Sequence, residues 1–314
     1  MRTTRDSGSA RHPGSNPADT VAPGLAPGAG RNPISMTSIP LAPIAVVTGA
    51  SSGIGRFLAT EFGDRGFDLV LCAEDSDIHR VSAELAEGGR WTRAVQADLR
   101  TPAGVEELAR AVDEIAVPID VLAVNAGIGH AGPFAQTPLA GDLEVIALNV
   151  TSAVHLTKLL LPPMIANGAG RILFTSSVAA TMPGPFYATY AASKAFVQSF
   201  AQALRYELKD TGVSVTALMP GPTDTGFFDR AAMQDTPVYD QDKDDPARVA
   251  RQAVEALVGG DDHVVAGSVG NRAQTVAARL MPDRMAAAAH ARLTTPANRP
   301  PDDRIGEPPG RAPA

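Results

Sequence analysis

Residues 44–55 read Ile44-Ala-Val-Val-Thr48-Gly49-Ala-Ser51-Ser52-Gly53-Ile54-Gly55, and this stretch carries the strongest indication of the fold. An apolar run of strand length passes directly into a glycine-rich loop, and helical periodicity follows it. The glycines have the spacing G-x-x-x-G-x-G, which permits a sharp turn and removes side chains where a phosphate would approach the backbone. The free N–H groups at the start of the helix would bind that phosphate. The alternative interpretation is a strand-to-helix turn that needs glycine only for its shape.

Short apolar runs alternate with helical stretches over the rest of the chain. Strands are predicted at residues 44–48, 68–73, 92–96, 119–124, 171–176, 213–218 and 262–266. Helices are predicted at residues 53–65, 77–87, 102–116, 142–166, 188–210, 246–258 and 271–290. The strands read as continuous apolar runs without two-residue hairpins, which is typical of parallel strands covered on both faces. The predicted fold class is α/β, a single Rossmann-type, doubly wound parallel sheet of about seven strands with helices on both faces.

Proline and glycine are concentrated at the two ends of the chain. Residues 1–43 contain seven prolines and five glycines, and residues 295–314 have the same character. Such segments lack the apolar surface needed to offset the entropy of ordering. We therefore predict disordered tails at 1–43 and 295–314. One domain is predicted at 44–294, because no linker or long repeat interrupts it.

Charge and composition narrow the function classes. The 27 basic and 34 acidic side chains give a net charge of −7, which argues against nucleic acid and against an anionic membrane surface as partners. The single cysteine, Cys72, excludes an intrachain disulfide, and six scattered histidines show no metal-ligand spacing. No secretory signal or apolar run of membrane-spanning length is present. We expect a cytoplasmic, metal-free protein.

Polar residues at the ends of three strands predict contacts to a dinucleotide. Glu74 follows the second strand, where a carboxylate would accept both ribose hydroxyls and repel a 2′-phosphate, and the next arginine in that segment is Arg80. This favours NAD over NADP, although Glu74 is equally consistent with a solvated strand-end charge. Asp98-Leu99 is placed to reach the adenine amino group, and the small residues Asn125-Ala126-Gly127 allow the backbone to lie close to the cofactor.

Tyr190 and Lys194 stand one helical turn apart, on one face of a predicted helix. A cation near a phenol stabilises the phenolate and lowers the pKa of the tyrosine, which would make Tyr190 a general acid or base. Ser177, at the end of the fifth strand, would bond the same substrate oxygen. Asn149 interrupts an apolar helical run and so needs a buried partner or a wet cavity. Each residue alone also fits a structural role, and their joint appearance favours catalysis.

Taken together, these residues resemble the classical short-chain dehydrogenases/reductases. Residues 48–55 look like the family's TGxxxGxG loop, residues 125–127 look like its NAG element, and Pro220-Gly221 with Thr225 looks like its PG motif. The tetrad of the family is matched in order and spacing by Asn149, Ser177, Tyr190 and Lys194. Ala73 stands where NAD-specific members carry Asp, and Glu74 stands where many NADP users carry Arg. The cofactor is therefore NAD or NADP, with NAD favoured.

The resemblance implies a role for each of these residues. Tyr190 would transfer the proton, Lys194 would bond the nicotinamide ribose and lower the pKa of Tyr190, and Ser177 would position the carbonyl oxygen. Asn149 would hold a water that links Lys194 to solvent. The predicted cofactor-binding residues are Thr48, Gly49, Ser51, Ser52, Gly53, Ile54, Gly55, Glu74, Asp98, Leu99, Asn125, Ala126, Gly127, Tyr190, Lys194, Pro220, Gly221, Thr223 and Thr225.

The predicted activity is NAD(P)-dependent interconversion of a secondary alcohol and a ketone. The predicted pocket, residues 179–187 with Phe227, Phe228 and Met233, contains no Arg or Lys, which favours a hydrophobic small-molecule substrate. His130 is the histidine best placed to touch it, and residues 222–245 match the family's mobile lid. The alternative is a catalytically idle dinucleotide-binding sensor or scaffold. A sugar-nucleotide epimerase is disfavoured because its phosphate loop has a different glycine spacing.

Self-association is predicted from the helices at 142–166 and 188–210. Their outward faces are expected to carry apolar side chains at more positions than one sheet face can bury, and an exposed apolar patch of that size needs a partner. The residues concerned are Leu156, Leu160, Phe196, Phe200 and Leu204. The family resemblance implies a homodimer or homotetramer built on these helices.

Overall fold

The computed structural model describes residues 42–268, 270–272, 275, 277 and 281–297. Of the predicted tails, residues 1–41 and 298–314 lie outside the described residues. The strands are β1 (Ile44–Thr48), β2 (Asp68–Ala73), β3 (Thr92–Gln96), β4 (Val121–Val124), β5 (Gly170–Thr175), β6 (Val213–Pro220) and β7 (His263–Ala266). The helices are α1 (Gly53–Asp64), α2 (Asp77–Ala86), α3 (Pro102–Asp113), α4 (Leu139–Ile146), α5 (Ser152–Asn167), α6 (Ala188–Glu207), α7 (Phe227–Arg230), α8 (Pro246–Gly259) and α9 (Asp283–Thr294).

The seven strands form one parallel sheet in the order β3-β2-β1-β4-β5-β6-β7. Every residue of β1, β2 and β4 is buried, as expected for strands covered on both faces. Alternate side chains of β1 enter two separate cores, so that Val46 belongs to one and Val47 to the other. The predicted fold class is confirmed.

One core lies between the sheet and helices α3, α5 and α6, and the other lies between the sheet and helices α1, α2 and α8. Leu108, Leu156 and Val197 belong to the first core. Phe62 and Leu257 belong to the second. The predicted exposure of Leu156 and Leu160 is therefore wrong: each is 1% exposed, because this face of α5 is turned toward the sheet.

The chain order reverses between β1 and β4, which are hydrogen-bonded neighbours in the sheet. The loops that follow these strands consequently leave the sheet in opposite directions and open a crevice at its carboxyl edge. Gly49 and Asn125 follow the two strands directly. The crevice therefore opens beside the glycine-rich loop.

The predicted helix 142–166 contains an irregularity that the sequence pattern does not reveal. A single π-helical turn, Ala147–Thr151, joins α4 to α5 and is centred on Asn149. By length and composition, Leu139–Asn167 is the one helical stretch in the described part of the chain that could cross a membrane. Its residues Leu160 and Met164 lie in the core against the sheet, which is the arrangement of a core helix.

The predicted helix 271–290 is interrupted. Asn271 and Thr275 are helical, but Met281 and Pro282 are not, and Pro282 is the N-cap of α9. Proline removes a backbone donor and cannot continue a helix from its preceding turn, so the continuous helix was a wrong prediction. The last helix begins after Pro282 and runs on to Thr294.

Candidate active site and cofactor cleft

The glycine-rich loop is built by backbone conformations and close approaches that need glycine. Gly49 and Gly53 have φ values of +67° and +53°. A Cβ atom on Gly55 would lie 2.1 Å from the carbonyl oxygen of Gly49, so no side chain fits at this position. Ser52 caps α1 without a side-chain hydrogen bond, and the first turn of the helix has no acidic residue. The helix N-terminus therefore presents N–H groups without a side-chain partner, which suits an anion.

Thr48 and Asn125 hold the edge of the sheet together. The Thr48 hydroxyl accepts from the backbone N–H groups of Asn125 (2.9 Å) and Ala126 (3.0 Å). The Asn125 side chain donates to the carbonyl of Thr48 (3.0 Å) and accepts from the Thr175 hydroxyl (3.1 Å). Thr48 is fully buried and does not line the cleft, and its hydrogen bonds fix the ends of β1 and β4.

A continuous cavity of about 320 Å³ lies over this edge. It is lined by every predicted cofactor-binding residue except Thr48, and by Ser177, Tyr190 and Lys194 of the predicted tetrad. The fourth member, Asn149, is buried and does not line it. The described residues contain no group of three or more His, Cys, Asp or Glu side chains that could hold a metal ion.

Acidic side chains surround a single guanidinium at the end of the cavity beside β2. Arg100 donates to Glu74 (2.5 Å) and to Asp98 (2.9 Å), and its third nitrogen lies 3.8 Å from Glu144. The bond from Arg100 lowers the pKa of Asp98. The sequence-based view that no arginine stands near Glu74 is wrong, because the turn after β3 returns Arg100 to this strand end.

The catalytic end of the cavity contains a buried phenol. Tyr190 and Lys194 lie on α6, and Lys194 Nζ is 5.8 Å from the centroid of the Tyr190 ring. Burial raises the pKa of Tyr190 to about 12, and a hydrogen bond from Ser177 opposes this rise. The predicted net lowering of the tyrosine pKa is therefore wrong for this structure, because desolvation of the phenolate outweighs the opposing effect.

Lys194 is directed at the backbone between Tyr190 and the sheet. Its Nζ donates to the carbonyl of Thr175 (2.9 Å), and burial lowers the pKa of Lys194 to about 8. A Cβ atom on Gly127 would lie 3.1 Å from Lys194 Nζ and 3.2 Å from Asn149 Oδ1, so glycine is needed between these two side chains. The ammonium group and the asparagine amide therefore flank the same glycine.

Asn149 has the buried partners that the sequence required. Its side chain accepts from the N–H of Ile128 and donates to the carbonyl of the same residue, at 2.9 Å in both cases. A further bond runs to the hydroxyl of Ser193 on α6. The π-helical turn supplies the extra residue that directs Asn149 inward, and such turns are frequent at functional sites. Asn149 thus fixes the chain that follows β4.

The substrate end lies between α6, the segment 222–245 and α9. Two backbone hydrogen bonds connect the ends of that segment. The N–H of Asp224 donates to the carbonyl of Asp244 (2.9 Å), and the N–H of Asp244 donates to the carbonyl of Pro222 (2.8 Å). Met182, Phe227, Phe228, Met233 and Leu293 supply apolar walls. The sequence predicted a substrate pocket lined by no arginine, and this prediction is wrong. Arg230, an exposed residue of α7, lines the cavity. His130 does not line it, and its ring lies over Gly141.

Comparison with known proteins places this architecture in a family. The short chain dehydrogenase family model matches residues 43–236. The chain belongs to the short-chain dehydrogenase family. Within the family it is 34% identical over 201 residues to dehydrogenase/reductase SDR family member 7B of Mus musculus, and this alignment covers 62% of each protein. The matched region thus spans less than two thirds of that relative.

Two further relatives of this short-chain dehydrogenase extend the comparison. It is 37% identical over 207 residues to 1-deoxy-11-beta-hydroxypentalenate dehydrogenase of Streptomyces exfoliatus, which covers 63% of this chain and 75% of the relative. Its structure matches a short-chain dehydrogenase from Sphingobium yanoikuyae in complex with NADPH with a TM-score of 0.67 and 32% identity. That match covers 71% of this chain and 87% of the other.

Proposed function

We propose that this short-chain dehydrogenase is an NAD(P)-dependent oxidoreductase that interconverts a secondary alcohol and a ketone. The observation that carries the proposal is the position of Tyr190, Ser177 and Lys194 in one cavity with the glycine-rich loop. A proton-transfer group and a dinucleotide cradle in one cleft are what alcohol oxidation and carbonyl reduction require. Family membership supports the same conclusion.

The residues of the cleft fit a nicotinamide dinucleotide. A Cβ atom on Gly53 would lie 3.1 Å from Thr225, so glycine keeps this narrow place free of a side chain. The uncapped N-terminus of α1 would hold the pyrophosphate, and Glu74 with Asp98 would face the adenosine. When bound, the nicotinamide supplies or accepts a hydride. Lys194, Thr225 and Gly221 also line the cavity and would hold the nicotinamide end, and Lys194 Nζ lies 5.8 Å from the centroid of the Tyr190 ring.

Tyr190 is the group that transfers the proton in this proposal. With a pKa raised to about 12, its hydroxyl is protonated throughout the neutral range and acts as a proton donor to a substrate carbonyl oxygen. Ser177 bonds the Tyr190 hydroxyl and is placed to donate to the same oxygen as negative charge develops there. The Ser177 hydroxyl also accepts from the N–H of Ala179 (3.1 Å), which fixes its orientation.

NAD(H) is the proposed preference at the adenosine end. Arg100 is bonded to two carboxylates, Glu74 and Asp98, and Asp75 accepts from the Ser51 hydroxyl (2.8 Å) nearby. One guanidinium against three carboxylates leaves this end negative, so a 2′-phosphate would meet net repulsion. A ribose 2′-hydroxyl would instead find carboxylate acceptors.

A hydrophobic carbonyl compound is the proposed substrate class. The apolar walls supplied by Met182, Phe227 and Met233 favour burial of a carbon skeleton. The name of the Streptomyces exfoliatus relative refers to dehydrogenation of a hydroxypentalenate, which supports an alcohol or its ketone as the substrate. The exposed Arg230 lies in a segment rich in Asp, so it is not a dedicated site for an anionic substrate.

Self-association is also part of the proposal. Ile146 (42% exposed) and Phe196 (40% exposed) lie at a groove that also includes Val150 and Ala192. Leu143, 53% exposed, is one helical turn before Ile146. These residues replace Leu156 and Leu160 as the predicted interface, because they are the apolar side chains that face solvent. A homodimer or homotetramer would cover them.

A substrate panel tests the proposed activity. Secondary alcohols and their ketones, graded in size, are incubated with purified protein and each of NAD(H) and NADP(H), and absorbance of the reduced nicotinamide is followed. Turnover of apolar members is expected. Tight binding of cofactor by calorimetry without turnover of any member would contradict the proposal and favour the idle sensor or scaffold.

A further inference from the structure

The C-terminal helix α9 reaches the substrate end and contacts the loop 182–187. His290 Nδ1 lies 2.9 Å from the carbonyl oxygen of Pro183, and the Thr294 hydroxyl donates to the carbonyl of Pro185 (2.9 Å). His290, Leu293 and Thr294 all line the cavity. These residues lie beyond 43–236, the part of the chain matched by the family model. The helix therefore adds residues outside the family-model match to the pocket.

The contacts of His290 determine which of its nitrogens carries the proton. A carbonyl oxygen only accepts, so the bond to Pro183 requires a proton on Nδ1. Burial lowers the pKa of His290, which keeps the ring neutral at physiological pH. The second nitrogen, Nε2, then has a free lone pair and accepts from the hydroxyl of Tyr187, with which it is hydrogen-bonded. The direction of this bond is fixed by the proline carbonyl.

The hydrogen bond to His290 determines whether the Tyr187 hydroxyl can donate to a ligand or only accept from it. A phenol has one proton, and the proton of Tyr187 is committed to His290 Nε2. The Tyr187 oxygen can therefore only accept a further hydrogen bond. Tyr187 lines the cavity, and its ring centroid lies 5.8 Å from that of Tyr190. A substrate whose carbonyl oxygen meets Tyr190 would place its neighbouring atoms beside this acceptor.

We propose that Tyr187 and His290 form a recognition pair that accepts a hydrogen bond from a second polar group, a hydroxyl or N–H, on an otherwise apolar ketone or alcohol substrate. The inference rests on the proposed function and names the substrate class of the same site. The surrounding walls are apolar, so a ligand without a donor leaves the acceptor lone pair of the Tyr187 oxygen without a hydrogen bond, although its proton stays bonded to His290. A site built to pair a polar group discriminates against analogues that lack the group.

Matched substrates and matched variants test the pair. Cyclic hydroxyketones, with the hydroxyl at successive ring positions, are compared with the deoxy ketone by kcat/KM in wild type, Tyr187→Phe, His290→Gln and His290→Leu. In the wild type, at least one hydroxyketone is expected to exceed the deoxy ketone by roughly tenfold, the worth of one good hydrogen bond. Tyr187→Phe should abolish this ratio, whatever its effect on kcat/KM for the deoxy ketone.

The two histidine variants separate recognition from a structural role. The glutamine amide can donate to Pro183 and accept from Tyr187, so His290→Gln should retain the preference for the hydroxyketone. His290→Leu can do neither, so the Tyr187 proton is no longer committed and the preference for the hydroxyketone should weaken. A loss that affects the hydroxyketone and the deoxy ketone equally in Tyr187→Phe would overturn the recognition role.

A turnover-independent measurement checks the same pair. ¹⁵N NMR of the full chain, assigned by comparison with His290→Gln, is expected to show neutral His290 protonated on Nδ1. Protonation on Nε2 would overturn the assigned polarity. If the wild type converts none of the ketones, the proposed function is contradicted. If it converts them but Tyr187→Phe leaves the ratio of kcat/KM between hydroxyketone and deoxy ketone unchanged, only the recognition pair is contradicted.

Discussion

Replacing Lys194 by methionine should remove a pH-dependent part of the stability of the protein. Burial lowers the pKa of Lys194 from 10.5 to about 8, so the amine holds its proton less tightly in the folded chain than in the unfolded chain. Below about pH 8 both states are protonated, and between about pH 8 and pH 10.5 the unfolded state binds more protons. The free energy of unfolding of the wild type therefore rises with pH across this window.

The size of the effect follows from the same two pKa values. Between pH 7 and pH 9 the free energy of unfolding of the wild type should rise by ~1–2 kcal/mol relative to Lys194→Met. Methionine also removes the bond to the Thr175 carbonyl, but that loss is the same at each pH and cancels in the comparison of slopes. Tyr190 does not contribute here, because its pKa is raised to about 12 by burial.

Urea unfolding at pH 7, 8 and 9 provides the measurement. The protein has one tryptophan, Trp91, which packs against the core and reports unfolding by fluorescence. The matched control is Lys158→Met, on an exposed part of α5, which should follow the pH dependence of the wild type. Parallel stability curves for wild type and Lys194→Met over this range would refute the claim that burial lowers the pKa of Lys194.

Three further substitutions test separate parts of the structure. Glu74→Arg should narrow or reverse the preference for NAD(H), changing the ratio of the NADP(H) and NAD(H) Kd values by roughly tenfold or more in titrations. If the wild type prefers NADPH and the substitution leaves that ratio unchanged, Glu74 does not face the ribose. Gly55→Ala should lower Tm and cofactor affinity, because its Cβ would lie 2.1 Å from a backbone oxygen. The control Gly259→Ala, whose Cβ would have no atom within 4 Å, should leave both unchanged. Equal changes in the two variants would contradict the packing argument. Ile146→Asp should convert the oligomer to a monomer in light scattering, and a wild type already monomeric at micromolar concentration would refute self-association.

The sheet and the glycine-rich loop could be predicted from the sequence because their signals are local. Strands buried on both faces read as apolar runs, and the glycines of residues 49–55 follow β1 directly. Tyr190 and Lys194 share a helix, so their spacing alone placed them on one face. The order of the strands and the position of the crevice follow from the handedness and adjacency of such units.

Contacts between distant segments could not be predicted in this way. Arg100 reaches Glu74 across 26 positions, and His290 reaches Tyr187 across 103. Which face of α5 Leu156 lies on depends on the π-helical turn before that helix, because the turn shifts the helical register. The residue composition does not indicate such a turn. The net pKa of Tyr190 depends on how completely the folded chain removes water from the phenol, and the spacing of Tyr190 and Lys194 does not contain that information.

Tyr190→Phe tests the central claim most directly, because the substitution removes one oxygen and keeps the ring that packs beside Tyr187 and Phe227. With the preferred ketone and cofactor from the substrate panel, kcat is measured beside the cofactor Kd from calorimetry. We expect a loss of ~10²–10⁴-fold in kcat, the usual contribution of general acid catalysis, with the cofactor Kd nearly unchanged. Retention of more than roughly a tenth of the wild-type kcat would contradict the assignment of proton transfer to Tyr190.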